Sequence, residues 1–308
     1  MWAQSKAEPE TSSSGELFTP SQLGKPTRNL VIQVAILAAL VTLLYSGILR
    51  DLVRDWESDP NFSHGFVVPF FSAVVIWRKR RQLRHQNLQP SWSALLLIGA
   101  GLGTLVTGVL GAELFLSRVS FVFVLAGLVV LFGGWPVFRT VSFAWMVLFL
   151  MIPLPAILYD QIALPLQFFA SKSATAFLWV LGVPAVREGN LIHLSGMSLE
   201  VAEACSGIRS LCSLGTLAII YSYLLGASVW KRLVLALSTV PIAVITNALR
   251  ITAAGALVRY GKATYARGLF HDFSGWLIFM VALALLVLVD HLFKAANWCG
   301  AKGTRAVA

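Results

Sequence analysis

From Leu30 onward the chain alternates between apolar runs and short polar segments. Runs fall at Leu30–Leu49, Gly65–Trp77, Trp92–Gly111, Val119–Phe132, Val141–Ile157, Ser206–Leu225, Leu233–Ala256 and Phe273–Leu292. Several approach the roughly 20 apolar residues that carry a helix across a bilayer. Gly133-Gly134-Trp135-Pro136 marks a tight connection between two of them. Two segments break the pattern. Leu164–Val183 is apolar but interrupted by Gln167, Ser171, Lys172, Ser173 and Thr175, so it reads either as a span or as an amphipathic helix in the interface. Gly189–Glu203 lacks a helical period; Asn190–Leu194 and Met197–Val201 flank Ser195-Gly196 and read as a short hairpin.

Charge gives the runs an orientation. Arg78-Lys79-Arg80-Arg81, with Arg84 and His85, closes the second run and belongs in the cytoplasm, as basic loops do. Lys231-Arg232 and the C-terminal Lys294, Lys302 and Arg305 belong on the same side. All three agree only if Leu164–Val183 does not cross. The expected fold is therefore all-α: a polytopic membrane protein of about eight spans, an interfacial helix and a short outer hairpin, with both termini cytoplasmic. Arg259, Lys262 and Arg267 then lie in an outer loop, against the charge rule. The expected boundaries are a disordered tail over 1–28, a membrane domain over 29–295 and a tail over 296–308. The first apolar run begins too late and is too long for a cleaved signal peptide.

Composition agrees. The 308 residues are 57% hydrophobic and only 12% charged, against about 25% charged in soluble domains. The net charge of +10 does not indicate nucleic acid, because the basic residues cluster between apolar runs, where they set topology. Cys205, Cys212 and Cys299 form no C-x-x-C pair and no even disulfide framework. No metal-ligand motif appears, and neither a metal nor a cofactor is expected.

The chemistry concentrates in Glu203-Ala-Cys-Ser-Gly-Ile-Arg-Ser210. Cys205 stands where a polar, strand-like segment gives way to an apolar run, and a helix start favours a thiolate. A small residue packed at a helix entry is the plain alternative. Arg250 lies about 17 residues into its run, roughly 25 Å into a core of about 30 Å, and so near the outer rim. His271 precedes the last run at the same face. Snorkelling arginine and interfacial histidine are the plain readings of each alone. Together the three form a chemical set: a thiolate nucleophile, a histidine acid/base and a fixed guanidinium for the oxyanion. Asn247 lies one helical turn before Arg250 and is placed to hold it. Arg209, at i+4 from Cys205, would share its helix face and lower the thiol pKa. Glu203 and Asp272 are candidates for orienting the histidine. Ser206 and Gly207 in the cysteine motif, and His64 at the start of the second run, complete the supporting set. Cys212, His85, His193, His291 and Cys299 read as packing or solvated residues.

The Glu203–Ser210 motif, Asn247-Ala-Leu-Arg250, His271 ahead of the last run, and the early Asn61-Phe-Ser-His-Gly-Phe-Val-Val-Pro69 with Trp77 together resemble the exosortase/archaeosortase family over about residues 30–295. The resemblance implies a membrane-embedded cysteine transpeptidase that cuts a C-terminal sorting tail from exported proteins: a short motif of the PEP-CTERM type, an apolar helix and a basic cluster. It implies Cys205 as nucleophile, Arg250 as oxyanion or orienting residue and His271 as general acid/base. It also implies a site on the outer face of a prokaryotic inner membrane, a thioester acyl-enzyme and a link to extracellular polysaccharide. The expected partners are such exported proteins and membrane lipid. The rivals are a transporter gated by rim charges, a membrane acyltransferase using His271 as base, and a non-catalytic scaffold. The transporter is disfavoured because Trp92–Gly111, Val119–Phe132 and Phe273–Leu292 are nearly free of charge.

Overall fold

The computed structural model describes residues 28–194, 197–201, 207–259 and 269–305. By internal contacts the chain divides into Met1–Ser46 and Gly47–Ala308. In the first unit, the described residues form the start of helix α1 (Arg28–Ser58), with Ile32, Val34, Ile36, Leu40, Leu43 and Leu44 all exposed. An apolar face of this kind suits lipid rather than water.

The second unit contains the remaining elements. They are helices α2 (Val67–Arg78), α3 (Arg80–Arg84), α4 (Ala94–Leu110), α5 (Leu114–Val147) and α6 (Ala156–Val180), strands β1 (Ala185–Glu188), β2 (Leu191–Leu194) and β3 (Met197–Glu200), then helices α7 (Ile208–Leu224), α8 (Val229–Arg259) and α9 (Leu269–Arg305). Among the described residues four helices are long and apolar enough to cross a membrane: Ile32–Ser58, Leu114–Met151, Val229–Leu257 and Phe273–Ala295. Three shorter apolar helices, Ser63–Arg78, Ala94–Leu110 and Ile208–Leu224, accompany them. The fold is that of a mainly helical membrane protein.

α5 is two helices in one. Gly134 has φ 81° and ψ 177°, outside the helical region, and Pro136 follows it without an N–H to give. The Trp145 indole donates to the Val122 carbonyl at 2.8 Å, across 23 residues. In a straight helix those residues would stand about 35 Å apart. The chain therefore reverses at Gly134, and the arms pack through Phe123, Trp145 and Phe149. The apolar runs Val119–Phe132 and Val141–Ile157 correspond to these arms, with one correction. Helix gives way to a 3-10 turn at Leu148–Met151, and α6 starts only at Ala156. Pro153 and Pro155 cannot donate to a continuing ladder. α4 lies along α5, and Cβ atoms added at Gly101, Gly108 or Gly127 would come within 2.5–2.8 Å of the facing helix. Small residues let apolar helices approach closely where no hydrophobic force distinguishes neighbour from lipid.

The segment left ambiguous by its pattern, Leu164–Val183, belongs to α6, which starts earlier than expected. Two of its polar interruptions, Gln167 and Ser171, are buried, whereas Lys172 is exposed and Ser173 and Thr175 are half-buried. The Ser171 hydroxyl donates to Phe168 and Gly189 carbonyls. α6 packs on α8 and on the sheet. The expected hairpin is present as β2–β3, joined antiparallel with Leu194 opposite Met197. A third strand, β1, pairs with β2 and was not anticipated. Ala185, Ile192, Leu194 and Val201 pack with Ala170, Ala174 and Leu178 of α6 and Ile251 of α8. The sheet thus closes over the α8 turn that carries Arg250.

A candidate functional site at one end of the helices

Four stretches of the second unit meet around a cavity of about 720 Å³. The first is the turn ahead of α2. Asn61 N–H bonds the Asp59 carboxylate at 2.8 Å, Phe62 N–H the Asp59 carbonyl at 3.0 Å, and Gly65 N–H the Phe62 carbonyl at 2.8 Å. Beneath it Trp56 donates to the Met151 carbonyl at 2.9 Å, with its ring at Phe66. A Cβ at Gly65 would overlap the Trp56 indole, so only glycine fits. This turn delivers Ser63 and His64 to the cavity. The His64 Nδ1 is buried beside the Leu150 and Asn61 backbone without a well-formed hydrogen bond.

The second stretch is the start of α7. Gly207 caps it in the left-handed region, φ 83°, with Asn247 so close that a Cβ would stand 3.3 Å from Asn247 Cβ. Two constraints thus require glycine here. Arg209 follows in the first turn, and its Nε donates to Asn61 Oδ1 at 3.2 Å. Ser210, Ser213, Thr216, Leu217 and Ile220 carry the cavity wall down α7. From α8 come Asn247, 3% exposed, and Arg250 one turn later. From α9 come Gly275, Trp276 and Phe279. Arg250 Nε donates to Ser274 Oγ at 3.4 Å, and the Gly275 backbone lies against its guanidinium.

Of the residues singled out in the sequence, His64, Gly207, Arg209, Asn247 and Arg250 line this one cavity. Glu203, Cys205 and Ser206 lie outside the described residues. Both ends of their segment are fixed. Val201 N–H bonds the Asn190 carbonyl at 2.9 Å, and Gly207 caps α7. His271 falls in the first turn of α9. One expectation is corrected. The helix that carries Arg209 begins at Ile208, behind a left-handed Gly207, and not at Ser206 as expected; the shared face with Cys205 lies outside the described residues. Cys212 packs with Ile208, Tyr159 and Ala163, away from the cavity. Asn61, Ser210, Ser213 and Ser274 had no assigned role. Ser210 and Ser213 repeat at i,i+3 on α7, which is the signal that would have found them. Among the described residues no group of three His, Cys, Asp or Glu is placed to hold a metal ion.

The opposite end of the same helices is built differently. Asp290 of α9 is fully buried and pairs with Lys231 of α8 at 2.6 Å and Lys294 at 2.7 Å, while Tyr221 of α7 donates to it at 3.1 Å. Lys231 and Arg250 are 19 residues apart on α8, about 28 Å along a helix. One ion cluster ties α7, α8 and α9 together at one end, and the cavity opens among them at the other.

Apolar helices long enough to span, with a cation-lined cavity at one end, define an integral membrane protein. The chain belongs to the transmembrane exosortase family, whose model (Exosortase_EpsH) matches residues 56–288, from Trp56 under the His64 turn into the last long helix. No curated protein and no solved structure matches it.

Proposed function

We propose that the chain is an exosortase-type cysteine protease/transpeptidase that removes a C-terminal sorting tail from exported proteins. The observation that carries the reading is the convergence of Gly207, Arg250 and the first turns of α9 on one cavity. Gly207 stands two residues after Cys205, and two residues of chain reach at most about 7 Å. Cys205 is the nucleophile: its thiolate attacks the scissile carbonyl and forms a C–S bond. Arg250 donates to the oxyanion of the tetrahedral intermediate and keeps its charge throughout. His271 protonates the leaving amine as the C–N bond breaks, leaving a thioester. It then takes the proton of the incoming nucleophile, whose attack releases the thiolate.

The cavity is polar at the His64, Arg209 and Arg250 end. Towards Leu217, Ile220 and Phe279 it becomes apolar. That gradient suits a substrate whose cut site precedes its own membrane helix. We further read the chain as eight crossings, with α6 packed but not crossing, both termini cytoplasmic and the cavity facing outward in a prokaryotic inner membrane. The basic loop after α2 and the Lys231–Asp290–Lys294 cluster would mark the inner side. Attachment to a cell-surface or extracellular polysaccharide is the fate proposed for the product.

The test is co-expression with a tagged protein bearing a PEP-CTERM-like tail, as wild type and as Cys205→Ala, Arg250→Ala and His271→Ala. Tail loss with wild type and none with the three variants is expected. Processing that survives Cys205→Ala overturns the thiol mechanism and favours an acyltransferase based on His271. For the topology, Lys172→Cys should react with an impermeant label from outside; absence of labelling overturns the eight-span reading.

A further inference from the structure

The cavity holds one guanidinium more than the chemistry requires. Arg250, braced by Ser274 and the Gly275 backbone, is assigned to the oxyanion. Arg209 lines the same cavity from a different helix. It is held from behind by its Nε, on the neutral amide of Asn61, at 3.2 Å. Among the described residues its two terminal nitrogens have no partner, and no Asp or Glu lines the cavity. A neutral anchor orients the fork without neutralising it. The position is also unfavourable for helix stability. Arg209 sits in the first turn of α7, where the dipole disfavours a cation and favours an anion. Helix end and guanidinium thus add to one positive field, in a partly buried site where charge is weakly screened. A guanidinium with its Nε tied and its terminal nitrogens free is shaped for two parallel bonds to a carboxylate.

We propose that Arg209 is the specificity-determining residue of the site and pairs with a carboxylate side chain in the substrate's sorting motif. This rests on the transpeptidase reading above. It divides the two arginines: Arg250 serves the reacting carbonyl, and Arg209 reads the sequence beside it. A cavity of about 720 Å³ encloses a ligand of short-peptide size. Leu217 and Phe279 lie further along α7 and α9 than Arg209 and Gly275, so the acid is placed at the end of the cavity that carries Arg209.

The experiment uses the full chain in cells with three tagged reporter tails, identical except for one motif position carrying Glu, Gln or Lys. Enzyme level is read from a second tag. With wild type, the Glu tail is expected to be processed about ten- to a hundred-fold faster than the Gln tail, the range of a charged hydrogen bond. Arg209→Gln should bring the two tails to near equality, Arg209→Lys should keep a reduced preference, and Arg209→Glu should prefer the Lys tail. Arg250→Lys should slow every tail and leave the preference as it was. Reversal of preference separates recognition from a structural role, which would lower all tails together. Two outcomes overturn the proposal: Arg209→Gln retaining the wild-type preference, or processing by wild type that is indifferent to motif charge. The second would leave an anionic lipid headgroup as the group Arg209 meets. Wild type processing none of the three tails would instead overturn the transpeptidase reading itself.

Discussion

Arg209 and Asn61 are 148 residues apart in the chain and joined by one hydrogen bond of 3.2 Å. That bond couples the turn ahead of α2 to the first turn of α7, and so fixes where the cavity's second guanidinium points. Asn61→Ala should release Arg209 and lower processing of an acidic-motif tail by about ten-fold, the scale of a lost bond to a charged group. Asn61→Asp should do something different: it gives Arg209 a carboxylate of its own, so the preference for an acidic motif should disappear while the protein stays as stable as wild type. Initial rates on the Glu and Gln tails distinguish the two.

Gly207 should accept no side chain. A left-handed φ of 83° costs an alanine about 1–2 kcal/mol, and its Cβ would press on Asn247. Gly207→Ala is expected to lower thermal stability in detergent by that amount and to lower processing further, because it shifts both the residues next to Cys205 and the Asn247 wall.

Gly65 is constrained by a neighbour rather than by its own backbone. Gly65→Ala drives a methyl into the Trp56 indole, an overpacking of about 1–3 kcal/mol. Pairing it with Trp56→Phe should recover part of the stability but not all, since the bond to the Met151 carbonyl is lost. The melting temperatures of the two single variants and the double variant test this coupling.

On the proposed mechanism Arg250 and a lysine are not equivalent, because the oxyanion meets a planar fork. Arg250→Lys retains the charge and should still lose about 10²–10³ in turnover, as the removal of an oxyanion donor does. Single-turnover tail release, with substrate binding followed by crosslinking, checks that the loss is in the chemical step.

Asp290→Asn removes the anion from between Lys231 and Lys294 and leaves two cations facing each other. The expected result is a melting temperature lower by several degrees with tail preference unchanged, because the cluster lies at the far end of α8 from Arg250.

The apolar runs, the reversal at Gly133–Pro136 and the hairpin were legible in the sequence, because each is governed by short-range periodicity and by Gly and Pro. The fate of Leu164–Val183 was less clear. Its polar residues break the lipid-facing pattern, and only contact with α8 and the sheet shows that Gln167 and Ser171 are turned inward. Strand β1 was missed because Ala185–Glu188 carries one buried and three exposed residues, too short an alternation to stand alone.

The sequence by itself determined a polytopic membrane protein and the residue types of its candidate site, since hydropathy and local motifs depend only on neighbours along the chain. It also brought Arg250 and the start of the last helix to one end, because helix rise converts residue number into depth. Tertiary structure alone decided that Asn61 anchors Arg209, that Gly207 and Asn247 share a wall, and that Asp290 ties α7, α8 and α9 at the other end. Those relationships join segments far apart in sequence. They depend on which helix faces meet, and the hydropathy of each helix leaves that choice open.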